Sequence, residues 1–209
     1  IIQFKVEGQL IKKHPEWNMK ERLLLDKIDY KQGTIKLGGK EYPLNDTYFP
    51  TIDPKDPYKL THEEEDVVER LKNSFLGSER LQRHIRFLYT KGSLYKVYNG
   101  NLLYHGCVPL NEDGSFMKVR IFDKTYSGKA LYDILEHYAR KGYYSIDPQE
   151  KQRGEDILWF IWKNKHSPVF GKERMATFER YFIDATETHE EPKNAYYRLF
   201  EKEEIVDKI

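Results

Sequence analysis

The chain has 209 residues, with 35 Lys and Arg against 34 Asp and Glu, a formal net charge of +1. That balance argues against a duplex-binding module, which carries a clear basic excess, and a single Cys excludes a disulfide framework. A mean hydropathy of −0.80, no apolar run near the ~20 residues of a membrane helix, and 14% aromatic beside 33% charged residues describe a soluble, intracellular globular chain.

Ile2, Val6 and Leu10 recur every four residues, which predicts a helix already running at residue 1 and stopping before His14-Pro15. No cap precedes it, and no stop signal follows the amphipathic stretch 201–209, so the chain reads as an internal fragment of a longer protein. Asn18-x-x-Glu21 is a capping box and predicts a second helix. Ile28/Tyr30, Ile35/Leu37 and Tyr42/Leu44 alternate between glycines, which predicts a small antiparallel meander turning at Gly38-Gly39. Residues 46–60, with three prolines, form a loop.

Thr61-x-x-Glu64 opens another helix, with Val67, Val68, Leu71, Phe75 and Leu76 on its inward stripe. Gly77-Ser78 breaks it, and a further helix runs to about Tyr89 with Leu81, His84, Ile85 and Leu88 facing inward. From residue 92 the character changes. Asn99-Gly100 joins two strands in the strongest short hairpin signal, and the second strand runs directly into His105-Gly106-Cys107. A strand over 117–122 follows, then a helix capped by Ser127 and ending at Gly142. Residues 157–162 are apolar nearly all round, as in a buried helix, and a helix is expected over 174–183. The fold class is α+β. A helical and β-meander insertion, cap-like, occupies 1–90, and strand-then-helix material occupies 91–209.

His105 is the sharpest local feature. It ends a predicted core strand, where α/β sheets hold ligands, and Gly106 would let a metal or phosphate approach the main chain. In extended chain Cys107 would share its face, hinting at a metal pair, but the reading of Cys107 as a small buried residue is the simpler one. Ser167-Pro-Val-Phe-Gly-Lys-Glu-Arg174 places Lys172 and Arg174 ahead of a predicted helix, where cations and free N–H groups suit a phosphate. It is not a P-loop, since His166 and Glu173 stand where Gly and Ser or Thr are needed. Lys91, beside Gly92 and Ser93, is a further phosphate candidate.

Four stretches together carry a family likeness. They are Trp17-Asn-Met-Lys-Glu-Arg-Leu-Leu-Leu-Asp-Lys-Ile-Asp-Tyr30; Lys91-Gly-Ser-Leu-Tyr95 with Tyr98-Asn-Gly-Asn-Leu-Leu-Tyr-His105-Gly-Cys-Val-Pro109 and Asn111-Glu-Asp-Gly-Ser115; Phe170-Gly-Lys-Glu-Arg-Met-Ala-Thr-Phe-Glu-Arg-Tyr-Phe182; and Glu187-Thr-His189 with Lys193-Asn194. In that order they resemble class III fructose-1,6-bisphosphatase. The resemblance implies part of a calcineurin-like metallophosphoesterase core with two metal ions, usually manganese. It implies that His105 is one metal ligand. It also implies hydrolysis of the 1-phosphate of fructose 1,6-bisphosphate in gluconeogenesis, in the cytoplasm, by a homo-oligomer with no nucleic-acid or membrane partner. The family's Gly-Asp-x-His, Gly-Asn-His and Gly-His-Thr-Pro elements do not occur in this sequence, so the 209 residues alone are expected to be inactive. Lys172, Arg174 and Lys91 are then the candidate contacts to the sugar phosphate. The competing reading is an autonomous interaction or regulatory module without catalysis; a single-strand nucleic-acid binder fits a net charge of +1 poorly.

Overall fold

A computed structural model describes residues 1–209. The fold is α+β, with eight α-helices and three small antiparallel sheets. The chain divides into two compact units: Ile1–Gln82 with Ala176–Glu190, and Arg83–Met175 with Glu191–Ile209. The expected insertion boundary at residue 90 falls near the end of a helix; the units divide inside that helix, and 176–190 returns to the first unit.

In the first unit, α1 (Ile2–Lys13) stops at His14, before Pro15. Its expected stripe is only half-buried, and it buries Lys5, Glu7, Gly8 and Ile11 instead. The cause is tertiary: Gly8 presses against the Tyr58 ring, and Lys5 donates to Glu64 at 2.7 Å. The capping box at Asn18 opens no α-helix. Asn18 is left-handed, with φ of 54°, and 3-10 turns follow at Lys20–Arg22 and Leu25–Lys27. Leu23, Leu24 and Leu25 are consecutive, and a regular helix could not point all three inward; the turns let Leu24 and Leu25 enter the core together.

The meander forms as expected: β1 (Ile28–Asp29), β2 (Thr34–Leu37) and β3 (Lys40–Pro43), with Ile28 opposite Ile35 and Ile35 opposite Tyr42. Its inner face joins Leu44 and Tyr58, and also Phe178 and Ile183 from the returning segment. That segment carries α6 (Thr177–Phe182), shorter than the helix expected over 174–183. Arg22 grips the buried Glu179 with both guanidinium nitrogens, at 2.6 and 3.3 Å. The Thr61 capping box opens α2 (His62–Leu76) as read from the sequence.

In the second unit, α3 (Glu79–Lys91) leads to the hairpin of β4 (Tyr95–Tyr98) and β5 (Asn101–Tyr104). Asn99 and Gly100 both have positive φ, the conformation a two-residue hairpin turn demands. The strand expected over 117–122 is β6 (Val119–Ile121), paired with β7 (Lys124–Tyr126). α4 (Gly128–Tyr144) and α5 (Pro148–Lys163) form the helical layer. α4 does not end at Gly142. That glycine lies inside the helix because it meets Gly154, where a Cβ would come within 2.1 Å of the Gly142 nitrogen. Leu131, Leu135, Ile157 and Phe160 are fully buried here, each worth about 1.5–3 kcal/mol of burial. Trp162 is exposed, so the apolar run at 157–162 is not buried all round. α7 (Tyr196–Leu199) and the single turn α8 (Glu203–Val206) seat Leu199 and Ile205 on Leu110. No helix is long and apolar enough to cross a membrane.

Candidate functional site

β5 delivers His105 at its C-terminal end, but the strand is exposed, not a core strand. His105 is solvent-facing. The chain turns sharply behind it at Gly106, with φ of +92°, and a Cβ there would lie 2.1 Å from the Pro168 carbonyl oxygen. No other residue fits both the angle and the space. The Cys107 amide donates to that same Pro168 oxygen at 2.7 Å, and the Tyr132 hydroxyl donates to the Cys107 carbonyl at 2.8 Å. Tyr104 and Tyr196 join hydroxyls at 2.6 Å. The main chain that carries the imidazole is thus tied on both sides, at Tyr104 and at Cys107.

Cys107 does not share a face with His105. The positive φ at Gly106 breaks the extended alternation, and Cys107 is wholly buried. Burial pushes its thiol up to about 12, so it is inert as a thiolate. No group of three or more His, Cys, Asp or Glu side chains in the chain converges to hold a metal. These residues alone do not make a metal centre.

Lys172 lines a cavity of about 270 Å³ with Asn111, Lys165, His166, Lys193 and Asn194. Three loops build it. Lys172 and Lys193 pair as an isolated β-bridge, the Glu173 amide donates to Pro192 at 2.8 Å, and the Asn194 amide donates to Gly171 at 3.0 Å. Asn194 Oδ1 accepts from the amides of Leu110 and Tyr196, at 3.1 and 3.0 Å. Glu191 holds the Lys172 ammonium at 2.6 Å, fixing its place and offsetting part of its charge. Glu112 and Glu173 line the same cavity, so its three lysines are largely balanced by carboxylates and its charge is mixed.

The other candidates lie elsewhere. Arg174 and Lys91 do not line this cavity, and neither does His105. The helix start invoked for Lys172 and Arg174 is α6, six residues long and beginning only at Thr177. Lys91 is exposed at the end of α3. There Arg140 donates to the carbonyls of Tyr89 and Gly92, and Glu136 accepts from the Leu94 amide at 2.9 Å. The sequence reading missed Lys165, His166 and Lys193 as cavity residues. Lys193-Asn194 had already carried part of the family likeness; nothing local marked the other two.

A family model described as Firmicute fructose-1,6-bisphosphatase matches residues 1–209. The chain belongs to this family. Among its relatives, the class 3 fructose-1,6-bisphosphatase of Clostridioides difficile is 57% identical over 204 residues, covering 97% of this chain and 31% of that protein. That of Clostridium tetani is 55% identical over 210 residues, with 100% and 32% covered. A "Fructose-1,6-bisphosphatase class 3 1" of Clostridium beijerinckii is 54% identical over 209 residues, again with 100% and 32% covered. The chain thus spans about a third of the length of the curated relatives it matches. No solved structure matches it.

Proposed function

We propose that this chain is part of an enzyme that hydrolyses the 1-phosphate of fructose 1,6-bisphosphate, a gluconeogenic reaction in the cytoplasm. The observation that carries the reading is the family match over every residue of the chain. In this reading the second unit contributes to a calcineurin-like metallophosphoesterase core. His105 is one ligand of a manganese pair whose other ligands lie outside these 209 residues, since this chain alone brings no second set of donors to the imidazole. Manganese, when bound, would supply Lewis-acid charge stabilisation.

The chain's own residues have narrower roles. Lys172 contacts a phosphate of the substrate, with Lys165 and Lys193 offsetting the Glu112 and Glu173 carboxylates that line the same cavity, and Glu191 keeps the Lys172 ammonium in place. Arg174 and Lys91 act as contacts outside the cavity. Self-association of the whole enzyme is part of the same reading.

The test uses the complete protein that carries this chain. His105→Ala abolishes manganese-dependent phosphate release from fructose 1,6-bisphosphate, while Lys172→Ala chiefly raises KM. Wild-type turnover in His105→Ala sinks the assignment. Robust turnover by the 209 residues alone also sinks it, because one ligand cannot hold two metals.

A further inference from the structure

The stripes expected to face inward on α2 and α3 are exposed, with Leu71, Phe75, Phe87 and Leu88 at 56–68% and His84 exposed beside them, and nothing in the structure covers them. A cavity beneath the β4–β5 hairpin is different. All of its wall comes from the second unit, and the chemistry of that wall says what it takes.

The cavity measures about 320 Å³. The hairpin register sets Tyr95 opposite Tyr104 and Val97 opposite Leu102, so these four side chains share one face of the sheet, and all four line the cavity. Tyr132 on α4 meets two of them edge to face, with ring centroids 5.8 Å from Tyr95 and 6.2 Å from Tyr104. The rest of the wall is apolar except for Lys129.

Every polar side chain on that wall is already paired. The Tyr95 hydroxyl donates to Asp133 at 2.9 Å, and the Tyr132 hydroxyl donates to the Cys107 carbonyl at 2.8 Å. Tyr104 and Tyr196 join hydroxyls at 2.6 Å, and the Lys129 ammonium donates to Asp133 at 2.6 Å. The phenols thus offer the cavity their rings and not their hydroxyls. A charged guest would leave its polar atoms unpaired there, and a length of main chain would strand its N–H and C=O groups. Apolar cavities of this kind stay dry, and one of about 150 Å³ admits benzene; this one is roughly twice that size.

We propose that this cavity binds a neutral, apolar compound of one or two rings. Val97 and Leu102 are 63% and 40% exposed, so the guest enters past the hairpin. Tyr104 directly precedes His105, and Tyr132 holds the carbonyl just beyond it. An occupied cavity therefore steadies the main chain that carries the imidazole. The inference goes beyond the phosphatase reading and uses none of its chemistry; its readout is binding, so each can fail alone.

Calorimetric titration of toluene into the complete protein that carries this chain tests it. Toluene binds with a Kd of about 1 mM or below and with a negative heat-capacity change. Benzoate, of similar shape but charged, binds about tenfold more weakly or worse. Leu102→Trp fills the cavity from one strand and Val97→Trp from the other; each weakens toluene about tenfold or more with an unchanged circular-dichroism spectrum. Hydrogen exchange over 104–108 slows as toluene saturates. No binding overturns the proposal and leaves the cavity to another part of a longer polypeptide. Benzoate binding as tightly as toluene overturns it in favour of an anion held by Lys129. Toluene binding that ignores both tryptophans, or leaves exchange over 104–108 unchanged, lies in a different cavity and overturns it equally.

Discussion

Lys5 Nζ lies 2.7 Å from Glu64 Oε2, with both side chains buried. The ammonium also donates to the Thr51 carbonyl, while Glu64 accepts from the Thr61 amide at 2.9 Å to complete the capping box of α2. One carboxylate thus fastens α1, the proline loop and the start of α2. Removing one member strands the other charge. Lys5→Met should cost the first unit about 3–5 kcal/mol, measured by urea unfolding. A change near zero would mean that the pair opens to water.

The same pair sets an acid limb of stability. Burial pushes the Glu64 carboxyl up, and the hydrogen bonds from Lys5, Thr51 and the Thr61 backbone together outweigh that, so its pKa is lowered. A depressed carboxylate stabilises fully above its ordinary value, and the contribution fades as pH falls through the lower folded value. Wild type should therefore lose stability on acidification more steeply than Glu64→Gln. Parallel pH profiles for the two would refute the assignment.

Gly106→Ala forces a side chain into a left-handed φ and against the Pro168 carbonyl. The expected loss is at least about 2 kcal/mol, read as a lower melting temperature. In the complete protein, phosphate release should fall with it, because His105 loses its fixed main chain. An unperturbed melt would show that the loop at 168 yields freely.

Gly154→Ala separates two opposing effects. Alanine favours a helix interior by about 1 kcal/mol over glycine. Here its Cβ would sit 2.1 Å from the Gly142 nitrogen and 2.4 Å from the Tyr138 carbonyl oxygen, which are backbone atoms that cannot step aside. The clash wins, and the second unit should lose about 2–3 kcal/mol. A stabilised variant would mean that α4 and α5 can move apart cheaply.

Cys107 should resist alkylation. With its thiol raised to about 12, about one molecule in ten thousand carries the thiolate at pH 8, and the side chain is also enclosed. Labelling with a thiol reagent should be slow in the native protein and immediate in denaturant. Equal rates in both would place Cys107 at the surface.

Local signals were legible where chemistry is local. The Thr61 capping box, the Asn99-Gly100 hairpin and the stop before Pro15 all appear where their residues dictate. Signals that depend on partners were not. Asn18-x-x-Glu21 has the letters of a cap, yet the three leucines behind it serve a core built with Phe178 and Ile183, more than 150 residues away. Gly142 looks like a helix stop and is a packing contact, because Gly154 faces it. The cavity around Lys172 was half visible: the loop was marked, but Lys165, His166 and Lys193 reach it only through the β-bridge and the turn after α5. The pairing of His105 with Cys107 failed on one dihedral angle, at Gly106.

α4 holds the two ends of the hairpin through three hydrogen bonds. Glu136 receives the amide of Leu94 just before β4, Asp133 receives the Tyr95 hydroxyl at 2.9 Å, and Tyr132 reaches the Cys107 carbonyl just past His105. Because Tyr95 stands opposite Tyr104 in the antiparallel pair, all three bonds gather at the open end of the hairpin, the end that carries His105. The helix works as a clamp on that end. The setting of the imidazole is therefore shared between α4 and the loop at Pro168, whose carbonyl accepts from the Cys107 amide, rather than supplied by the exposed strand alone.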